Sequence, residues 1–461
     1  MQLPFLVVVL LFFAVSWKQS SGIILHDNRN MLSISSSLSS SRIIRIAEPV
    51  WRAAVLQHTE QIQCLLQPGM TSTDHSLNSG LKRQQRMKQN QQSSSSSSLW
   101  TALDPKHPVY NFLIEYYGLK GVKGPKRLGR WSPSPALLLG DSDRIHTLDE
   151  LFLTNPTSIT TNNDPSTNSR SRSRSRCRCG SILLEGATEQ DVGATLHLRG
   201  AMPTSNGIIY SPSSFFQSTD HIKASTPYVW YRSILQQTLT AEPILHCHGL
   251  HEWAMQYWPA GAAPPPSQQY QENLPLRVSQ DTINAAVERR GVSCTHVDAL
   301  RYFAPAAGPL NHHGALLQRQ DQLRLEQPAC VHAHMDLLKM ILRLQPFCDA
   351  RLVQQVLQVA LEARTLDVAA SPYDASAYGV SVIPIETKEG RAHYRDEQTK
   401  LMHRVKPIRE ELLQAYDLFL ETAFGSKTQE ERPDPERFAT AEPGGPSWRR
   451  SLQQDTNISL S

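Results

Sequence analysis

The sequence predicts a mainly α-helical protein: one multi-helix domain with disordered insertions and one small hairpin. Three observations predict it. Apolar residues recur at helical spacing through the dense stretch from Ile244 to Phe424. Long polar tracts elsewhere cannot bury enough surface to fold by themselves. Only one segment, VSVIPIE from Val380 to Glu386, reads as a strand, and it would form half of a hairpin. The domain is expected over residues 43–425, with disordered insertions near 67–99 and 154–226 and a disordered tail over 426–461.

In chain order, the first 42 residues read as a presequence. Phe5 to Val15, FLVVVLLFFAV, is an apolar run too short to span a bilayer and fits a signal-peptide core. A serine-rich stretch from Ser33 to Ser41 with Arg42 and Arg45 beyond it has transit-peptide composition. Together they predict a plastid destination, with secretion as the alternative, and no stable membrane span once the presequence is removed. RIAEPVWRAAVLQHTEQIQCLL, Arg45 to Leu66, follows as a helix. A polar insertion ending in a six-serine run separates it from HPVYNFLIEYYGLKG, where His107-Pro108 turns into a short aromatic helix and Gly118 can stop it. Residues 154–180 form an Arg/Ser tract, and 199–226, rich in Ser, Gly and Pro, reads as loop. Further helices are expected at Tyr228–Leu239 and near 250–258, 280–290, 296–304, 333–345, 349–366 and 392–424.

Charge and cysteine usage narrow the function. The chain of 461 residues has a formal net charge of +4, and Arg170, Arg172, Arg174, Arg176 and Arg178 with Asp164 account for all of it. The folded body is therefore neutral overall. Only a local basic groove would let it hold nucleic acid. Seven widely spaced cysteines do not suggest a disulfide framework, and Cys177 and Cys179 read as exposed thiols without a role. There is no G-x-S-x-G, GxxxxGK[ST] or GxGxxG, which argues against serine hydrolases, ATPases and dinucleotide enzymes.

Chemistry-bearing residues concentrate in HCHGLHEWAMQYW, CTHVDALRYF and QPACVHAHMDLLK. None has the CxxC or HxxxH spacing of structural zinc, but ligands from three clusters can converge in space. His332 and Asp336 lie four apart and share a helix face. Gly249 argues for a helix starting near Leu250 or His251, with His248 in the loop before it. A helix entered at QPACVHAH turns His334 away from His332. Asp336, Glu252, His332 and His251 are the candidate catalytic groups. Trp253, Tyr257 and Tyr302, with Arg301, His296 and Asp298, are the candidate substrate-binding groups. Plain structural roles compete with each: an acid in a first helical turn complements the helix dipole by about 0.3–1 kcal/mol, and aromatics at this spacing commonly belong to a core.

HPVYNFLIEYY, CHGLHEWAMQY, CTHVDALRYF, LEQPACVHAHMDLLK, TLDVAASPYD and IETKEGRAHYRDEQ together resemble a group of bacterial and algal proteins generally called 3-methyladenine DNA glycosylases. The resemblance covers roughly residues 45–66, 100–135 and 228–420. No glycine-rich hairpin of the helix-hairpin-helix type accompanies it. Members often have Asn where this chain has His334, which demotes that histidine. The resemblance implies damaged DNA as partner, hydrolysis of an alkylated purine N-glycosidic bond and no cofactor. A carboxylate would activate water or stabilise the sugar cation, and aromatic residues would hold a flipped base. Two other readings stay open. One is a metal-dependent enzyme holding a divalent transition metal on His251, His296, His332 and Asp336. The other is a non-catalytic helical binding protein.

Overall fold

A computed structural model describes residues 42–67, 100–133, 144–152, 179–215, 221–259, 261 and 274–424. The expected presequence up to Ser41, the insertion over 68–99, Cys177 and most of the Arg/Ser tract, and the tail lie outside the described residues.

The described residues are mainly helical, as the periodicity predicts. The elements are β1 (Arg42–Ile46), α1 (Glu48–Leu65), α2 (Asn111–Glu115), α3 (Lys123–Leu128), β2 (Arg144–Ile145), α4 (Leu148–Phe152), β3 (Cys179–Glu185), β4 (Ala201–Thr204), β5 (Gly207–Tyr210), α5 (Pro212–Phe215), α6 (His221–Thr240), α7 (Leu250–Met255), α8 (Gln280–Glu288), α9 (Val297–Leu300), α10 (Asp321–Leu325), α11 (Val331–Leu344), α12 (Ala350–Ala370) and α13 (Lys388–Phe424).

The centre is α12. Its N-terminus is capped by the Asp349 carboxylate, which accepts from the Arg351 amide at 2.7 Å. Leu352, Val353, Val356, Leu357, Val359, Ala360 and Ala363 are buried, so the helix is apolar nearly all round. Such a helix must be enclosed, and α1, α11 and α13 pack around it. The amphipathic α11 lays Val331, Leu337, Leu338, Ile341 and Leu344 against it.

Two expectations about strands need correcting. VSVIPIE forms no strand: Val380, Ile383 and Ile385 are buried against the core, but the only ladder-like bond here is Ile383 N–H to the Ala369 carbonyl. The real sheet lies elsewhere: β1 spans the end of the expected presequence and the start of the expected first helix, and β3, β4 and β5 lie within 154–226, where a disordered insertion is expected. It has five strands in the order β2-β1-β3-β5-β4, with β1 parallel to β2 and β3, and β5 antiparallel to β3 and β4. β5 is buried at every position, as a strand covered on both faces should be. Trp51 on α1 donates its indole N–H to the Glu185 carbonyl at 2.9 Å and so ties helix to sheet. Among the described residues, no helix is long and apolar enough to cross a membrane.

Candidate functional site

Three loop–helix junctions converge on one face of α12. α7 starts at Leu250, as Gly249 predicts with φ +68°, and this places His251 in its first turn. His296 is the residue before α9. His332 follows Cys330, which precedes α11. The junctions are fixed by backbone clamps. The Asn311 side chain accepts from Cys294 N–H at 2.9 Å and donates to the Cys294 carbonyl at 3.1 Å. Gln327 Oε1 accepts from Ile244 N–H at 3.0 Å and Ala329 N–H at 2.8 Å. Gln398 on α13 donates to the Ala329 carbonyl at 2.7 Å.

The result is a buried line of imidazoles and carboxylates. The rings of His251 and His332 are 4.4 Å apart, and His296 stacks on His332 at 4.8 Å with a 9° interplanar angle. At one end, His251 Nε2 lies 2.7 Å from Asp367 Oδ1. At the other, His296 Nδ1 lies 3.8 Å from Glu326 Oε1. Behind Asp367, Arg364 Nη1 reaches Asp367 Oδ2 at 2.6 Å and Glu252 Oε1 at 2.9 Å, and its Nε donates to the Pro108 carbonyl. Asp367 is fully buried. Burial alone would push its carboxyl up, but His251 and Arg364 outweigh that and hold it well below the usual carboxylate range. Burial likewise opposes the charge on His251, and Asp367 overcomes it, so this histidine is raised. His332 is driven well below the ordinary histidine value by burial and by its two histidine neighbours. His296 is raised: burial opposes the charge, and Glu326 foremost restores it.

The structure brings together His251, His332 and His296 from the candidates of the sequence. It also reassigns several of their companions. Glu252 faces Arg364 and positions Asp367 through it. Asp336 approaches His296 and Asp298 instead of the His251–His332 pair. Asp298 is engaged by Arg319 and Arg301, each at 3.1 Å, which hold its carboxyl low against burial. Trp253 is fully buried, with its indole N–H bonded to the Ala370 carbonyl at 2.8 Å. Tyr257 is buried and donates to Glu288 at 2.8 Å. Both are core residues tying α7 to its neighbours, not walls of a slot. Tyr302 is half-buried beside Tyr116, with Arg301 over its ring at 5.3 Å. His334 points away, its Nδ1 3.2 Å from Arg409. Three residues escaped the sequence reading: Asp367, Arg364 and Glu326. For Arg364 and Asp367 the available signal was their place among the apolar positions of α12, because buried charges are kept only when paired.

A narrow cleft opens onto the line, bounded by Cys247, His251, Val292, Cys294, Cys330 and His332. Its thiols are not poised as nucleophiles; burial pushes Cys294 up to about 12 and Cys330 well above the ordinary value.

The donor set fits a metal ion. Ligand atoms of His251, His332 and Asp367 lie within 4.8 Å of one another. His251 Nε2 and Asp367 Oδ1 are 2.7 Å apart, yet neither has an in-line hydrogen-bond partner. His296 Nδ1 and Glu326 Oε1 are also buried and unpartnered. A plain His–Asp hydrogen bond would align N–H with oxygen. Two buried ligand atoms this close, with a third from His332 within 4.8 Å, form a set that an ion would satisfy. Ligands 2.0–2.1 Å from a tetrahedral ion stand about 3.3 Å apart, so holding an ion would require this 2.7 Å pair to part by about 0.6 Å. No family model, curated protein or solved structure matches the chain.

Proposed function

We propose that the protein is a metal-dependent hydrolase whose ion is held by His251, His332 and Asp367. The observation that carries this is the 2.7 Å approach of the buried His251 Nε2 and Asp367 Oδ1, with a ligand atom of His332 within 4.8 Å of both. Two histidines and one carboxylate leave coordination positions open, the pattern of catalytic zinc, iron or manganese. A bound ion would supply Lewis acidity and make water acidic enough to ionise near neutral pH.

The chain's own residues do the rest. Arg364 and Glu252 fix Asp367 in its ligating orientation, as outer partners of metal ligands do. His332, held neutral by its surroundings, keeps a lone pair to donate. His296, stacked on His332 and backed by Glu326, can accept a proton released in the cleft and return it to a leaving group.

The resemblance noted in the sequence supplies the bond to try first, the N-glycosidic bond of an alkylated purine. Release of purine from methylated DNA, and hydrolysis of phosphoester and amide substrates, can be assayed with native, chelated and metal-restored protein. The expected result is turnover of one class that chelation abolishes and stoichiometric metal restores, with Asp367→Asn and His332→Gln inactive. Turnover undiminished by complete metal removal would overturn the reading.

A further inference from the structure

The mouth of the cleft carries a concentration of cations that the site described above does not use. Arg289 and Arg290 close α8, and Gly291 leads directly into Val292 and Ser293 on the cleft wall. His246 and His248 flank Cys247, which also lines the cleft, in the loop before α7. His312 completes this side, with its Nδ1 3.2 Å from Ser293 Oγ. The first turns of α13 present Arg391 and Arg395, four residues apart and so on one face. Between them Tyr394 sets its ring 6.2 Å from that of His248.

These arginines differ from the structural ones. Arg277, Arg319 and Arg364 each meet a carboxylate. Among the described residues, Arg289, Arg290 and Arg395 have no ion pair, and Arg391 donates only to the carbonyls of Ile385 and Glu386. Nearby acids do not cancel them: Asp396 is taken by Lys400 at 2.6 Å, Glu288 accepts from Tyr257, and Glu389 alone offsets Arg391. His248 adds an independent sign. It is the one non-glycine residue with positive φ, +47°, among the described residues. Its side chain is buried, at 8% relative exposure, and its Nδ1 has no partner. A left-handed backbone and an unpartnered buried ring nitrogen together mark a binding position.

We infer that Arg289, Arg290, Arg391 and Arg395, together with His248, bind a phosphate group of the ligand that enters the cleft. Guanidinium forks match phosphate oxygens in pairs, and an unbalanced cationic rim draws anions towards the mouth. That this ligand is the substrate rests on the proposed hydrolytic site; the phosphate binding itself does not. A nucleotide and a strand of nucleic acid both carry such a phosphate, and the two are separable.

The test uses the full chain in a chelator, so that no metal contributes. Binding of adenosine monophosphate is followed by calorimetry, and of a short 5′-labelled oligonucleotide by fluorescence anisotropy at several salt concentrations. Saturable binding of either probe is expected, weakened about tenfold or more by Arg290→Gln with Arg395→Gln, weakened by His248→Asn, and unchanged by Lys406→Gln. Tighter, strongly salt-dependent binding of the oligonucleotide identifies a strand; equal binding of both identifies a single phosphate. No saturable binding at millimolar probe, or equal binding by the arginine double variant, overturns the inference. A protein that takes up metal but not phosphate defeats this inference alone, and the converse defeats only the proposed function.

Discussion

Arg364 is the side chain on which the buried charges depend. It sits between Glu252 and Asp367, and all three are buried. Removing one member of a buried ion cluster leaves the others uncompensated, at a cost of about 3–5 kcal/mol. Arg364→Met should therefore lose roughly that much stability in urea unfolding. Arg364→Met with Glu252→Gln should lose less than the two single changes summed, because the sites couple. A loss under about 1 kcal/mol for the single change would mean the cluster is wetter than its burial indicates. At this scale the sequence was legible where chemistry sits at loop–helix junctions: His251, His296 and His332 stand in short, dense motifs. It was not legible where a site acid is buried in a core helix. TLD in α12 looks like the end of an apolar run, and only the fold shows that Asp367 turns inward to His251. Trp253 and Tyr257 misled for the opposite reason, since aromatic density near a site reads alike whether the rings face a ligand or the core.

The entrance to α13 sets where Arg391 and Arg395 stand. Gly390 lies so close to the preceding loop that an added Cβ would sit 1.9 Å from the Pro384 carbonyl oxygen. Backbone cannot yield as a flexible side chain can, so Gly390→Ala should cost about 1–3 kcal/mol and, by shifting the first turn, weaken phosphate binding as well. A melting temperature equal to wild type would contradict this packing. Helices were readable because each carries its own period, and α1, α2, α6, α8, α11, α12 and α13 lie where the apolar spacing puts them. Strands were not, because their evidence is distant. β1 is five residues of Arg and Ile whose partner β3 begins 137 residues later, from Arg42 to Cys179. β4 and β5 lie in Ser- and Gly-rich text that reads as loop. VSVIPIE has the composition of a strand, but no neighbour offers it a ladder.

Across the whole molecule, net charge concealed the rim. A neutral body averages paired surface charge with an unpaired cluster, so a total cannot reveal where arginines lack partners. Buried histidines away from the site give the molecule its own pH response. His58 donates from Nε2 to the Leu128 carbonyl at 3.0 Å, and its Nδ1 faces the Gln354 amide at 2.9 Å, which fixes a neutral ring; burial lowers it to about 4. His197, bonded to the Arg130 carbonyl, is lowered to about 3, again by burial first. A base depressed in the fold is neutral there while the unfolded chain takes up a proton. Stability is thus full above pH 6.5 and falls below it, by about 1.4 kcal/mol per pH unit for each histidine until its folded value is reached. Thermal unfolding in chelator should show the midpoint dropping between pH 6.5 and 4, and a flat profile there would contradict the buried neutral rings.

The central claim is that His251, His332 and Asp367 hold an ion. The direct measurement is elemental analysis of the full chain purified without chelators, together with the absorption spectrum after cobalt substitution. The account predicts about one equivalent of a divalent transition metal per chain and visible cobalt bands of a low-coordinate nitrogen–oxygen site. Both should be lost in Asp367→Asn and retained in Asp336→Asn. Less than about a tenth of an equivalent in the wild-type protein, with no cobalt spectrum on reconstitution, would contradict it.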